Sequence, residues 1–144
     1  MWEYATKAAT ALALGFAPFL EIYVAIPVAM AMGLDSVSVV LWCVLGNFLP
    51  VPIIVFAYDW LRRRPRLGPW LERLATGRAQ RVLSRHGPMF VLLVTPWIGI
   101  WAVAAAARVM GMDRVRLLFF SFLSVLGYGV VLTAGIALGV DFFT

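Results

Sequence analysis

The chain has 144 residues, 63% of them hydrophobic and 13% charged, with a mean hydropathy of +0.94 and a formal net charge of +5. A soluble domain carries charge on roughly a quarter of its residues, so this composition excludes an ordinary water-soluble core, and no polar segment is long enough to form a second domain outside a membrane. The lone Cys43 excludes an internal disulfide, and neither it nor the lone His86 can assemble a metal site that needs several convergent ligands.

Met1 to Thr10 carries Glu3 and Lys7 and lacks both a basic leading region and a small-residue cleavage site, so it reads as a retained start rather than a removable signal. An apolar stretch follows, about Thr6 to Met32, interrupted by Pro18 and Pro27 and holding Glu21 and Tyr23. After Gly33-Leu-Asp35 comes a long apolar run, about Ser36 to Trp60, with Asn47, Pro50 and Pro52 near its middle. About 20 apolar residues cross a bilayer as a helix, so this run predicts one crossing.

Eight arginines lie between Arg62 and Arg85. Within Leu67 to Gly87 the apolar Trp70, Leu71, Leu74, Val82 and Leu83 separate at helical spacing from Arg73, Arg78, Arg81 and Arg85, which predicts an amphipathic helix on the membrane surface. Gly68-Pro69 marks its start and Gly77 divides it in two. A second interrupted apolar stretch, about Pro88 to Met110, contains Pro96, Gly99 and Arg108; Gly111-Met-Asp113 and a second long run, about Val115 to Val140, follow it.

The two halves match at an offset of 78 positions, which pairs Pro18 with Pro96, Ile22 with Ile100, Ala29 with Ala107 and Gly33-Leu-Asp35 with Gly111-Met-Asp113. Positive charge marks the cytoplasmic face. Placing both the 62–85 arginines and Arg108, Arg114 and Arg116 there requires the Pro88–Met110 stretch to return to the side it left. Each copy is then a re-entrant hairpin plus one crossing, and two such odd units in series point in opposite directions. The expected fold is an all-α integral membrane protein forming a single membrane domain over 1–144: repeat 1 about 6–60, a cytoplasmic basic linker about 61–87, and repeat 2 about 88–140. The expected location is a prokaryotic inner membrane, crossed more than once, with Lys7, Asp35 and Asp141 outside and a homodimer thickening the thin wall.

Ionisable groups in apolar spans usually mark a pathway or a pair. Glu21, between Pro18 and Pro27, is the candidate proton carrier, or else a carboxylate that accepts hydrogen bonds from broken backbone. Arg108 suits a partnership with Glu21 or with a phosphate, and close to the turn it can alternatively reach the inner headgroup layer. Asn47 sits beside two prolines that remove backbone donors, so the span is expected to be kinked or partly unwound there, with Asn47 lining a cavity or bonding a neighbouring helix. Pro18, Pro27, Pro50, Pro52, Pro96 and Gly99 are the expected hairpin and helix breaks. The sequence contains no nucleophile–base pair and no phosphate-cradling glycine loop, so no enzyme and no cofactor is expected.

With Glu21-x-x-x-Ala-Ile-Pro27, Gly33, Gly46-Asn-Phe-Leu-Pro-Val-Pro52 and Pro96-x-x-Gly99-x-Trp101, the chain resembles the small multidrug export family of prokaryotic membrane proteins. That family is in turn similar to the DedA and SNARE-associated Golgi protein superfamily. The resemblance implies two facing re-entrant hairpins and, for the wider superfamily, flipping or scrambling of lipids, including polyprenyl phosphate carriers. Where the family carries Arg two residues after the Glu, Tyr23 stands here, which leaves a Glu–Arg pair at the hairpin tip open, with Arg108 as the other candidate.

The expected function is movement of a lipid or lipid-linked carrier across the membrane, using Arg108 for phosphate, Glu21 for protons and Asn47 along the route, and there are two alternatives. A proton-coupled exporter of small cationic compounds would need Glu21 and not Arg108. A membrane scaffold would depend on the linker arginines. The expected partners are the bilayer, protons and a phosphate-bearing lipid, with no nucleic acid.

Overall fold

The computed structural model describes residues 1–18, 20–66, 69 and 77–143, with the side chains of 77–85 and 140–143 set aside. Of the expected surface helix over Leu67 to Gly87, residues 67, 68 and 70–76 lie outside the described residues; from Gly77 onward the backbone is helical and runs on past Pro88 without a break at the expected start of repeat 2. Among the described residues all regular structure is helical: α1 (Trp2–Phe16), α2 (Glu21–Ala31), α3 (Ser36–Phe48), α4 (Pro50–Arg62), α5 (Gly77–Ile98), α6 (Ile100–Val109) and α7 (Arg114–Phe143). Ser36–Arg62, counted as one helix, and Arg114–Gly139 are long and apolar enough to cross a membrane.

The two Gly-x-Asp strings stop one helix and start the next. After α2, Gly33 takes φ 79° and the amides of Met32, Gly33 and Leu34 bond back to the carbonyls of Val28, Met30 and Ala29. This closes the helix in the left-handed manner that glycine favours. Asp35 then caps α3, its carboxylate accepting from the Ser38 amide at 3.0 Å. Seventy-eight residues later the same bonds recur: Met110, Gly111 and Met112 donate to Ala106, Arg108 and Ala107, Gly111 has φ 91°, and the Asp113 carboxylate accepts from Val115 and Arg116.

The earlier breaks also correspond at this offset. The Glu21 amide donates to Ala17 and the Gly99 amide to Thr95, and both residues have positive φ, 45° and 99°. Pro18 lies in the turn between α1 and α2, Pro27 within α2, and Pro96 in the last turn of α5. At Pro50 and Pro52 the long run divides, α3 ending at Phe48 and α4 starting at Pro50, with no wide unwinding between them. Leu49 keeps right-handed helical backbone and its amide still bonds to Leu45, so the two prolines fall in the first turn of α4, where missing donors cost least.

The contacts divide the chain into two compact units, Met1–Leu49 with Val125–Thr144, and Pro50–Ser124. In the first unit, α1 packs on α2 and α3 through Ala8, Ala11 and Gly15. A Cβ on Gly15 would come within 2.6 Å of the Cys43 carbonyl oxygen, and one on Gly46 would overlap the Leu12 carbonyl, so the two backbones cross in direct contact. The Tyr4 hydroxyl shares a hydrogen bond with Ser38 Oγ (3.0 Å) and accepts one from Trp42 Nε1 (3.1 Å), tying the start of α1 to the start of α3. Further on, Gly129 of α7 lets that helix lie against Val44 and Ile22.

In the second unit, α6 packs against both α4 and α5 around a core that includes Val55, Val91, Ile100, Val103, Ala107 and Leu117. Pro96 cannot donate to the Leu92 carbonyl one turn back. Ser124 Oγ supplies that bond from α7 at 2.9 Å.

Candidate functional site

Three of the residues singled out by sequence lie in the first unit. Glu21 opens α2 at the break after Pro18, and among the described residues it alone combines a side chain with positive φ. Left-handed backbone costs a residue with a Cβ of the order of 1–3 kcal/mol, and such strain persists where the surroundings impose it, often at functional positions. The side chain is partly buried and has its own contacts. Tyr23, 44% exposed, lies within electrostatic reach of Glu21 and of Tyr128 on α7.

Asn47 is 2% exposed, next to Gly46 where α1 and α3 cross. Its Oδ1 is buried with no hydrogen-bond partner among the described residues. A buried amide oxygen in that state is costly, and a water or a passing polar group is the usual way to satisfy it.

Arg108 belongs to the second unit, and of the alternatives left open between the headgroup layer and a partner inside the protein, the side chain takes a buried partner. It is 9% exposed, near the end of α6, and its NH2 group donates to the Asp59 carboxylate in an ion pair. Its NH1 group donates to the Met112 carbonyl at 2.6 Å, and the guanidinium lies 4.9 Å from the Tyr58 ring centre. A planar donor fork can hold a carboxylate and a carbonyl at once, and this one holds both. Its Nε remains buried without an acceptor among the described residues.

Sequence reasoning missed Asp59. It lies near the end of the first long run, where a lone acidic residue reads as an interfacial charge, and only the packing of α4 on α6 brings it to Arg108. The signal available was charge balance: a buried arginine in Ala104-Ala-Ala-Ala-Arg108 requires a counter-ion. Among the described residues no group of three His, Cys, Asp or Glu side chains is placed to hold a metal ion.

No curated protein and no solved structure matches the chain. The family model described as "Putative small multi-drug export protein" matches residues 21–131, from the Glu21 break through the Asn47 segment and the second Gly-x-Asp turn into α7. The chain belongs to this small multidrug export family.

Proposed function

We propose that the chain is a membrane transporter that exports small cationic compounds in exchange for protons, with Glu21 carrying the proton. The observation that carries this reading is Glu21 itself, an acidic side chain held in left-handed backbone at a helix break inside apolar sequence. A carboxylate that binds a proton and a cation by turns needs no cationic partner residue, and Arg108 is already engaged by Asp59.

The membrane arrangement that serves this function is two inverted copies of one unit. Support comes from the backbone bonds that recur at 78 residues and from matched burial at Ile22 and Ile100, Ala29 and Ala107, and Val39 and Leu117. Helices α1 and α2, of 15 and 11 residues, extend about 22 and 16 Å against a hydrocarbon core of about 30 Å, too short to cross. The Tyr4–Ser38 bond keeps the start of α1 beside the start of α3, as a hairpin that leaves by the side it entered requires. In this arrangement the chain crosses a prokaryotic inner membrane twice with residues 61–87 cytoplasmic. It pairs as a homodimer through some of its exposed apolar side chains, Phe56, Val131 and Leu138 among them.

A second reading, movement of a phosphate-bearing lipid or lipid carrier, is favoured by the unsatisfied Nε of buried Arg108, a donor free for an anionic oxygen. Proteoliposomes separate the two. A labelled cationic dye, a phospholipid and a polyprenyl phosphate are offered to wild type, Glu21→Gln and Arg108→Ala. Dye moved by wild type and lost in Glu21→Gln supports the exporter; polyprenyl phosphate moved by wild type and lost in both variants supports the lipid reading. Movement of none of the three overturns both and leaves a scaffold.

A further inference from the structure

The ion pair between Asp59 and Arg108 is a larger investment than its position requires. Arg108 joins three elements: its own helix α6, helix α4 through Asp59, and through the Met112 carbonyl the turn that leads into α7. The equivalent turn in the first half forms the same backbone bonds, from Met32, Gly33 and Leu34, with Met30 where Arg108 stands. Asp59 in turn corresponds to Ala137. The turn therefore closes without any charge, and the pair does something beyond building it.

A buried ion pair is a poor way to gain stability, because desolvating both charges offsets most of their attraction, and an apolar pair of similar volume often does as well. Here the arginine keeps one buried donor without an acceptor, so even its hydrogen bonding is incomplete. The Asp59 side chain is 28% exposed, against 10% for that of Arg108, so one end of the pair is open at the protein surface while the other stays buried. Contacts with a strong closed form and a hydrated open form make two-state elements, unlike continuously packed apolar ones.

We propose that Asp59 and Arg108 form a releasable latch between α4 and the α6–α7 turn, and that its opening is a step of the transport cycle. The proposal rests on the transporter reading for its role and on the geometry above for its existence. With the latch closed, Met112 lies buried in the turn, 6% exposed, its carbonyl held by Arg108. With it open, the turn keeps its own backbone bonds but the Arg108 guanidinium leaves the Met112 carbonyl, and Met112 becomes reachable from water.

The test places a reporter thiol at that point, Met112→Cys in a Cys43→Ala chain, and follows its labelling by a membrane-impermeant maleimide in proteoliposomes. Asp59→Asn and Arg108→Gln are each expected to speed labelling by about tenfold or more. The double variant Asp59→Ala/Arg108→Met, which installs the residues found at the equivalent positions of the other half, is expected to fold, to label as slowly as the unaltered pair, and to lose cargo movement about tenfold or more. Labelling unchanged in the single variants, or wild-type cargo movement by the double variant, overturns the latch. If the wild-type chain moves no cargo, the transporter reading fails, and the labelling comparison alone decides whether the latch exists.

Discussion

Ser124 on α7 donates its hydroxyl hydrogen to the Leu92 carbonyl on α5, the carbonyl that Pro96 leaves without a helical donor. A proline break and the residue that repairs it thus come from helices 32 positions apart in sequence. Removing the hydroxyl with Ser124→Ala is expected to destabilise the protein by about 1 kcal/mol. Adding Pro96→Ala should recover most of that loss, since the restored amide can reach Leu92 itself. Thermal midpoints of the two single variants and the double variant in one detergent check the coupling; additive effects would contradict it.

The glycines divide by what surrounds them. Gly15→Ala and Gly46→Ala push a methyl group into facing backbone and should each cost about 1–3 kcal/mol or more, seen as loss of folded protein in detergent. A Cβ on Gly127 or Gly135 would meet no atom beyond its own stretch of helix within 4 Å among the described residues. Alanine there should be neutral or stabilising by up to about 1 kcal/mol, because it favours helix over the unfolded chain.

Glu21 should show stability and activity in opposition. Glu21→Gly relieves the left-handed strain and is expected to raise stability by about 1 kcal/mol while abolishing transport. At the equivalent break, Gly99→Ala meets φ 99° and ψ 146°, open essentially to glycine alone, and should destabilise by about 1–3 kcal/mol or more. Midpoints and transport rates measured on the same preparations check both, and an inactive Glu21→Gly that is also less stable would remove the strain argument.

Asp35 caps α3, and the bonds it accepts from the Ser38 hydroxyl and amide hold its carboxyl below the ordinary value of 3.8. A depressed folded value means that the contribution is complete above the unfolded value and lost as pH falls through the folded one. Asp35→Asn, which still caps, should stay close to wild type at neutral pH, whereas Asp35→Ala should melt lower. The gap between wild type and Asp35→Ala should narrow below about pH 4.

Much of the fold was legible because a few residues dictate backbone directly. Gly33 and Asp35, and again Gly111 and Asp113, announce a helix stop and a helix start, and the long runs after them appear as helices Ser36–Arg62 and Arg114–Gly139. Pro50 and Pro52 mark the division between α3 and α4, but how little they disturb the backbone was not legible: in a first helical turn the missing donors leave little unsatisfied. The place of Arg108 stayed open for another reason. Its distance from the turn allowed escape to headgroups, and only the packing of α4 on α6 shows that a carboxylate 49 residues away satisfies it. The backbone contact between Gly15 and Gly46 was hidden for the same reason, since single glycines in apolar runs carry no sign of their partner.

Proton-linked export by Glu21 is tested most directly by loading proteoliposomes with a pH-sensitive dye and following proton movement when a small cation is added outside, for wild type and Glu21→Gln. Wild type should move protons only when the cation is present, and Glu21→Gln should match empty liposomes. Cation-dependent proton movement in Glu21→Gln equal to wild type, or none in wild type, would contradict the assignment.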